Sequence, residues 1–282
     1  MNAVETLNPT NLAQALKAKA NKNVVAVAGG TDLLVRLHDR ITQPWPKLLI
    51  LENVKELHKI TVTKTAITIG PSMTFSEIEN SAILRKKALQ LVTAAASAGS
   101  VQIRNRATIG GNIANGSPAG DTIPPLYVLE AILELSSAKG KRTVPIEKFF
   151  TGPGKTVLKP TELITAIKIP NRSNHGFFMR LATRKALAIS KVSVAVNIIM
   201  NKSKVESAKI ALGAVAPTVI RATLTEEYLR GKEINQAIID EAARIVQDEA
   251  RPIDDIRSLA IYRKEMVGVL LKRGLESVTT NG

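Results

Sequence analysis

Residues 108–121 read TIGGNIANGSPAGD, a stretch with four glycines among short polar side chains. Glycine permits positive φ and lets a ligand approach the main chain closely, so clustered glycines can present backbone N–H groups to an anion such as a phosphate. Short hydrogen-bonding side chains accompany that backbone: Thr108, Asn112, Ser117 and Asp121. The stretch therefore predicts either a phosphate-binding segment or a glycine-rich surface turn.

A second glycine cluster, Ala28-Gly29-Gly30-Thr31-Asp32, directly follows the apolar run Val24-Val25-Ala26-Val27. The apolar run predicts a buried strand, and a new apolar segment begins at Leu33. A strand, a glycine turn and a further apolar segment suit a phosphate cradle. Neither cluster has the G-x-x-x-x-G-K-[ST] pattern of P-loop proteins or the G-x-G-x-x-G pattern that opens a helix after a strand. The sequence therefore disfavours a kinase, a P-loop NTPase and an ordinary Rossmann dehydrogenase.

The composition narrows the classes of function further. The 282 residues include no cysteine, which excludes disulfides, thiolate zinc sites, cysteine-ligated iron–sulfur clusters and a cysteine nucleophile on this chain. The three histidines, His38, His58 and His175, lack metal-ligand spacing, so no histidine-rich metal site is expected. No apolar run approaches the roughly 18 residues that cross a bilayer, and residues 1–10 lack the features of a signal peptide. We therefore expect a cytoplasmic protein without a membrane span.

The net charge of +15 makes affinity for polyanions plausible. The basic residues are spread along the whole chain, few residues are aromatic, and neither an RNP-like nor a zinc-finger pattern occurs. An acidic partner subunit would suit the same charge. A basic nucleic-acid-binding protein is the alternative that the charge leaves open.

Apolar periodicity predicts alternating strands and helices in the first part of the chain. Helices are expected at 11–20 and at 84–98, the latter ending at Gly99. Strands are expected at 24–28, 48–51, 66–70 and 162–170, and a loop at 149–155. After a polar stretch at 170–175, strands at 191–200 and 204–215 precede two or three helices from Asn235 onward, the order of a small α+β domain.

The two glycine clusters together resemble the FAD-binding medium subunit of the molybdenum hydroxylases. This group includes the flavoprotein subunits of carbon monoxide dehydrogenase, xanthine dehydrogenase, 4-hydroxybenzoyl-CoA reductase and archaeal aldehyde or glyceraldehyde oxidoreductases. Further matching segments extend the likeness over nearly the whole chain: Ile69-Gly70-Pro71, Glu77-Ile78-Glu79, Glu162-Leu163-Ile164, Val192-Ser193-Val194-Ala195, Arg257-Ser258 and Tyr262-Arg263.

The resemblance implies an α+β fold. A two-subdomain FAD-binding domain of the vanillyl-alcohol oxidase and cresol methylhydroxylase type would precede a C-terminal α+β domain with a three-stranded antiparallel sheet and helices. We expect the first FAD-binding subdomain at residues 1–55, the second at 56–172 and the C-terminal domain at 173–282.

The resemblance also implies a set of FAD-binding residues. Main-chain amides of residues 26–33 would wrap the pyrophosphate from one side and those of 108–112 from the other, while Asp121 would hold the ribityl or diphosphate region. The backbone of residues 162–164 would pass along the adenine or flavin edge. The expected contacts are Ala26, Val27, Ala28, Gly29, Gly30, Thr31, Asp32, Leu33, Ala98, Thr108, Ile109, Gly110, Gly111, Asn112, Ser117, Asp121, Leu163, Ile164 and Arg180.

One region departs from the family pattern. Members often carry Lys-x-x-x-Arg-x-x-x-Asp at the start of the C-terminal domain, close to the flavin ring, and the matching positions here are Arg180, Arg184 and Ala188. A cation at Arg180 would stabilise an anionic reduced flavin. The usual carboxylate is replaced by alanine, so no acceptor site is carried over from the family.

By this likeness, the chain transfers electrons. FAD would take them one at a time from iron–sulfur clusters on a small partner subunit and pass them to an external acceptor. Substrate oxidation would take place on a large molybdopterin subunit, in a heterotrimer or a dimer of heterotrimers. No catalytic residue and no metal ligand are expected on this chain, because the cofactor carries the chemistry. A self-sufficient flavin oxidase of the vanillyl-alcohol type is disfavoured, since neither glycine cluster has a cysteine or usable histidine for covalent flavin attachment and no substrate domain is recognisable.

Overall fold

The N-terminal part of the chain forms a small parallel sheet. The computed structural model describes residues 4–38, 46–172, 175–184 and 187–280. The first elements are β1 (Thr6–Leu7), α1 (Leu12–Lys19), β2 (Val24–Val27), α2 (Leu33–His38) and β3 (Lys47–Ile50). The strand order is β1-β3-β2, and both neighbouring pairs are parallel. Because ligand clefts of parallel sheets lie beyond the carboxyl ends of the strands, the segment that leaves β2 is well placed to line one.

The middle of the chain forms an antiparallel sheet of order β4-β5-β10-β6-β7. Its strands are β4 (Ile60–Val62), β5 (Ala66–Ile69), β6 (Ile132–Ser137), β7 (Gly140–Pro145) and β10 (Leu163–Pro170). The helices are α3 (Phe75–Glu79), α4 (Ala82–Lys87), α5 (Leu89–Ser97), α6 (Val101–Arg104), α7 (Ile109–Asn115) and α8 (Ile123–Val128). The remaining elements are β8 (Phe150–Gly152), β9 (Lys155–Thr156) and 3-10 helices at Lys55–Leu57 and Ile146–Lys148. Leu91, Ile113 and Leu126 are fully buried in the same apolar cluster as Ile167 of β10, which fixes the helices against the sheet.

The C-terminal part forms a second antiparallel sheet covered by helices. Its elements are β11 (His175–Leu181), β12 (Val192–Asn201), β13 (Lys204–Gly213), β14 (Ile220–Arg221), α9 (Thr223–Leu229), α10 (Gln236–Glu249) and α11 (Ala260–Thr280). The three long strands are those that the resemblance implies, and β14 adds a short fourth strand at the edge. Val194, Val246 and Leu271 belong to one buried cluster, so α10 and α11 pack on the sheet. The predicted α+β class is confirmed.

Two segments differ from the sequence prediction. The helix expected over 84–98 is interrupted at Ala88, where φ is −152° and ψ is 51°. Leu84, Ala88 and Leu91 are all fully buried, so the apolar spacing continues across the break and periodicity does not reveal it. The loop expected over 149–155 contains β8, which pairs with β9 across a tight turn. Gly154 adopts φ +67° after a proline, the arrangement of a type II turn.

We propose that the chain divides as the sequence predicts, at residues 55/56 and 172/173. The three larger sheets support this division, because their strands lie within 6–50, 60–170 and 175–221. Residue 173 itself lies outside the described residues. In the described part of the chain, no helix combines the length and the apolar character needed to cross a membrane.

Candidate functional site

A single large cleft brings the two glycine clusters together. Its volume is about 870 Å³, near the upper end of the roughly 300–1,000 Å³ usual for ligand pockets. One wall consists of residues 25–33, and a second contains residues between Ala98 and Asp121. Residues 187–190 and others of the C-terminal part form the rest of the lining. All three sheet regions therefore contribute to one site.

The first glycine cluster presents backbone donors. Residues 28–32 connect β2 to α2. The N–H groups of residues 29–32 find no acceptor in the part of the chain that the structure describes. Gly30 adopts φ +75°, and a Cβ on Gly29 would lie 1.9 Å from the carbonyl oxygen of Arg106, so both positions require glycine. The segment can thus offer a run of consecutive donors to an anion.

The second glycine cluster is the first turn of α7, and its N–H groups are already engaged. They donate as follows: Ile109 to Met73 O (3.1 Å), Gly110 to Pro71 O (2.8 Å), Gly111 to Thr108 Oγ1 (3.1 Å) and Asn112 to Thr108 O (3.0 Å). Thr108 is therefore the N-cap of the helix. Asn112 lines the cleft, and its Oδ1 accepts a hydrogen bond from Thr122 Oγ1 at 2.7 Å. On this side of the cleft, hydrogen bonds to a ligand would therefore come mainly from side chains.

A buried carboxylate lies in the wall behind α7. Asp121 lines the cleft, and its side chain is 8% exposed. It accepts hydrogen bonds from Arg180 Nη1 at 2.9 Å and from Ser190 Oγ at 2.6 Å. Burial raises the pKa of the Asp121 carboxyl, while the charge of Arg180 and the hydrogen bond from Ser190 act in the opposite direction.

The sequence prediction missed several lining residues in the C-terminal part: Arg251, Ile253, Asp255, Arg257 and Arg263. Asp255 holds two of them, because it accepts hydrogen bonds from Arg263 Nη2 at 2.5 Å and from the N–H of Arg257 at 2.8 Å. These bonds lower the pKa of Asp255 to about 2. The sequence does contain a signal for two of these residues. The pairs Arg257-Ser258 and Tyr262-Arg263 match the family, but the resemblance assigns them no role.

Most of the residues predicted to bind the cofactor line this cleft. They are Ala26, Val27, Ala28, Gly29, Gly30, Thr31, Asp32, Leu33, Ala98, Thr108, Gly111, Asn112, Ser117 and Asp121. Their direct contact with FAD stays a prediction.

The other predicted contacts lie behind the lining. Ile109 is fully buried in the core, and a Cβ on Gly110 would lie 2.6 Å from Cβ of Pro71. Leu163 and Ile164 are buried in β10, and Arg180 is buried beside Asp121. Their predicted roles at the cofactor also stay predictions. Taken together, the N–H groups of residues 29–32, the polar side chains and the volume of the cleft suit a large anionic ligand.

Comparison with known proteins gives a consistent result along the chain. Residues 2–172 match the family described as "FAD binding domain in molybdopterin dehydrogenase". Residues 177–278 match "CO dehydrogenase flavoprotein C-terminal domain". The glyceraldehyde dehydrogenase medium chain of Sulfolobus acidocaldarius is 31% identical, over 95% of each chain. The xanthine dehydrogenase FAD-binding subunit of Escherichia coli O157:H7 is 30% identical, over 96% of this chain and 94% of that protein.

A solved structure shares the fold. It is the carbon monoxide dehydrogenase of Hydrogenophaga pseudoflava that lacks the Mo-pyranopterin moiety of the molybdenum cofactor, and its matching chain superposes with a TM-score of 0.92 at 28% identity. The match covers 99% of this chain and 98% of that one. The family and the cofactor predicted from the two glycine clusters are confirmed. The chain therefore belongs to the FAD-binding medium subunits of the molybdenum hydroxylases.

Proposed function

We propose that this chain is the electron-transfer subunit of a molybdenum hydroxylase: it takes electrons from iron–sulfur clusters of a partner subunit and delivers them, through FAD, to an external acceptor. The observation that carries this proposal is the cleft that residues 29–32 and α7 both line, where the N–H groups of 29–32 have no acceptor among the described residues. The donors match the charge of a pyrophosphate, and the volume of about 870 Å³ leaves room for a large cofactor.

The residues of the chain bind and orient the cofactor. The N–H groups of residues 29–32 hold the pyrophosphate, and Asn112, Ser117 and Asp121 hold hydroxyl or phosphate oxygens from the opposite wall. Apolar residues such as Ala98 and Ile189 also line the cleft. FAD, when bound, supplies the one-electron and two-electron redox chemistry that amino-acid side chains lack.

The partners follow from the same proposal. The relatives are named as a medium chain and as an FAD-binding subunit, which supports an assembly with further subunits. We propose that a small iron–sulfur subunit and a large molybdopterin subunit complete a heterotrimer or a dimer of heterotrimers. Substrate oxidation then belongs to the large subunit.

A flavin-binding experiment on the purified full-length chain tests the cofactor part of this proposal. After reconstitution with FAD, we expect the paired near-ultraviolet and blue absorption bands of oxidised flavin and a saturable titration. Riboflavin, which lacks the pyrophosphate, is the matched control and should bind much more weakly. Equal affinity for riboflavin would contradict the role of residues 29–32. Failure to bind FAD, together with salt-sensitive binding of nucleic acid, would favour the nucleic-acid alternative.

Reduction by a partner tests the electron-transfer part. The FAD-loaded chain should be reduced by the reduced iron–sulfur subunit and reoxidised by an added acceptor in a stopped-flow experiment. A flavin that the iron–sulfur subunit does not reduce within the assembled complex would contradict the proposal.

A further inference from the structure

A second, smaller cavity adjoins the first glycine cluster. Its volume is about 90 Å³, and it shares Ala28, Gly29 and Thr108 with the lining of the cleft. The rest of its lining is separate from the cleft and consists of Glu52, His58, Ser72, Thr74, Asn105 and Arg106. Ala28 and Gly29 therefore border both the cleft and this second cavity, which we call the rear cavity.

Two polar contacts hold the walls of the rear cavity. Nη1 of Arg106 donates to Oε1 of Glu52 at 3.1 Å, so the carboxylate in the lining is charge-compensated. Oγ1 of Thr74 donates to Oε2 of Glu77 at 2.8 Å. Both contacts are made within the chain, so neither depends on a molecule inside the cavity.

His58 has a different environment. Its Nε2 is buried and has no hydrogen-bond partner among the described residues. Buried polar atoms are normally satisfied by protein groups or by ordered water. The cavity has room for one water and for at most about three, and the buried Ser72 offers a hydroxyl as a further polar contact. The rear cavity therefore suits ordered water between His58 and the wall that contains Ala28 and Gly29.

The peptide unit between Ala28 and Gly29 connects the two cavities. In a planar trans peptide unit, the carbonyl oxygen and the N–H point in opposite directions. When the N–H of Gly29 points into the cleft, the carbonyl oxygen of Ala28 therefore points away from it. That oxygen accepts no hydrogen bond in the part of the chain that the structure describes. A donor in the rear cavity can satisfy it.

We propose that His58 is a positioning residue, which supports the first glycine cluster through an ordered water in the rear cavity. This inference rests on the proposed function, because it concerns the affinity for FAD. Nε2 of His58 donates to the water, and the water donates to the carbonyl oxygen of Ala28. Hydrogen bonds in a chain polarise one another, so donation to that oxygen strengthens the N–H of Gly29 as a donor to the pyrophosphate. His58 thereby acts on FAD binding without contacting the cofactor.

Two substitutions at this position test the proposal. His58→Gln keeps a donor nitrogen near the place of Nε2, so its FAD dissociation constant should stay within about twofold of wild type. His58→Leu removes the donor, and the constant should rise by about threefold to tenfold, the effect of one hydrogen bond. Fluorescence titration of the full chain with FAD measures both. Equal constants in all three proteins, or equal losses in the two variants, would overturn the proposal.

The stability of the FAD-free chain separates this role from simple packing. The leucine of His58→Leu buries apolar surface, which offsets the loss of one hydrogen bond to water. The melting temperature should therefore stay within about a few degrees of wild type while FAD binding weakens. A role in packing alone predicts the reverse: a lower melting temperature and an unchanged dissociation constant for the folded chain. That result would contradict the proposal.

Hydrogen exchange shows whether the effect passes through the first glycine cluster. At saturating FAD, peptides covering residues 29–32 should exchange severalfold faster in His58→Leu than in wild type. Peptides covering 109–112 should not change. Weaker FAD binding with unchanged exchange at residues 29–32 would mean that His58 acts elsewhere, and the proposal would be wrong.

His175→Leu is the matched control, because His175 is exposed and lies outside the linings of both cavities. It should leave the affinity for FAD unchanged. Ser72→Val is a second approach if His58→Leu does not fold, since it narrows the rear cavity and removes a hydroxyl; it should weaken FAD binding to a similar extent. If the wild-type chain binds no FAD, the proposed function fails. If wild type, His58→Leu and Ser72→Val bind FAD equally, only this inference fails.

Discussion

The two glycine clusters have similar compositions, but they use their backbone N–H groups in opposite ways. In residues 29–32 these groups have no acceptor among the described residues, whereas those of 109–112 donate to carbonyl oxygens and to Thr108 within the chain. The first cluster follows the end of a strand, and the second opens a helix whose first donors are capped. A glycine cluster can therefore supply donors to a ligand or close contacts to the fold, and neighbouring structure decides which.

Close packing explains the glycines of the second cluster. A Cβ on Gly110 would lie 2.7 Å from Pro71 O, and one on Gly111 would lie 2.9 Å from Thr108 Oγ1. The missing side chain at Gly110 lets α7 approach the segment before α3. The missing side chain at Gly111 lets the N-cap residue Thr108 approach the helix. The second cluster thus fixes the wall from which Asn112 and Ser117 project, while the first supplies the donors.

Gly29→Ala should have the largest effect on ligand binding. The new Cβ would lie 1.9 Å from the carbonyl oxygen of Arg106, so the backbone of residues 28–32 must move. Overpacking of this kind costs about 1–3 kcal/mol, and we expect the FAD dissociation constant to rise by roughly one to two orders of magnitude. Fluorescence titration with FAD measures the change.

Gly152→Ala is the control for that variant. Its Cβ would meet only Cδ of Lys155, at 3.9 Å, outside the cleft lining. We expect unchanged affinity for FAD. Wild-type affinity in Gly29→Ala would show that residues 28–32 do not bind the cofactor.

Gly110→Ala should act on stability more than on affinity. The new Cβ would lie 2.6 Å from Cβ of Pro71, so α7 must shift from its contact. We expect the free energy of unfolding to fall by about 1–3 kcal/mol, while the folded fraction still binds FAD within about threefold of wild type. Denaturant unfolding and FAD titration on the same preparation compare the two quantities. Loss of FAD binding at unchanged stability would mean that both clusters donate to the ligand.

Hydrogen exchange tests the comparison without a substitution. Amides without acceptors exchange readily, whereas those in capped helices are protected. FAD should slow exchange by about tenfold or more in peptides covering residues 29–32, and it should change peptides covering 109–112 much less. Mass spectrometry of the chain with and without FAD measures both. Equal protection of the two clusters would remove the distinction between them.

Local patterns predicted much of the fold. The helix at 11–20 was expected from a cap signal at Pro9-Thr10, and α1 begins two residues later, after Asn11, whose side chain accepts a hydrogen bond from the N–H of Gln14. The strand at 162–170 was expected from its alternation and its terminal proline, and β10 does run from Leu163 to Pro170. Such signals lie within a few residues, which is why the sequence contains them.

Contacts between distant segments were not predictable in this way. Asp121 and Arg180 are 59 positions apart, and no local pattern indicates that they pair. Arg251 reaches the cleft because its N–H donates to Val215 O at 3.0 Å, a contact set by the packing of the C-terminal part. Two N–H groups of the second cluster likewise donate to the carbonyl oxygens of Pro71 and Met73, and the glycine spacing does not reveal these contacts.

The origin of the cleft walls in all three sheet regions has a consequence for unfolding. A ligand that binds only the folded state stabilises it by RT ln(1 + [L]/Kd), about 2.7 kcal/mol at a hundredfold excess over Kd. Because its contacts would reach residues 25–33, 98–121 and 187–190, this stabilisation would couple the regions in one cooperative transition. Without the ligand, the middle and C-terminal regions still share one buried apolar cluster, which contains Ala195 and Ala211 together with Ile167. Cofactor release should therefore lower the midpoint of unfolding, because the folded state alone loses the binding free energy.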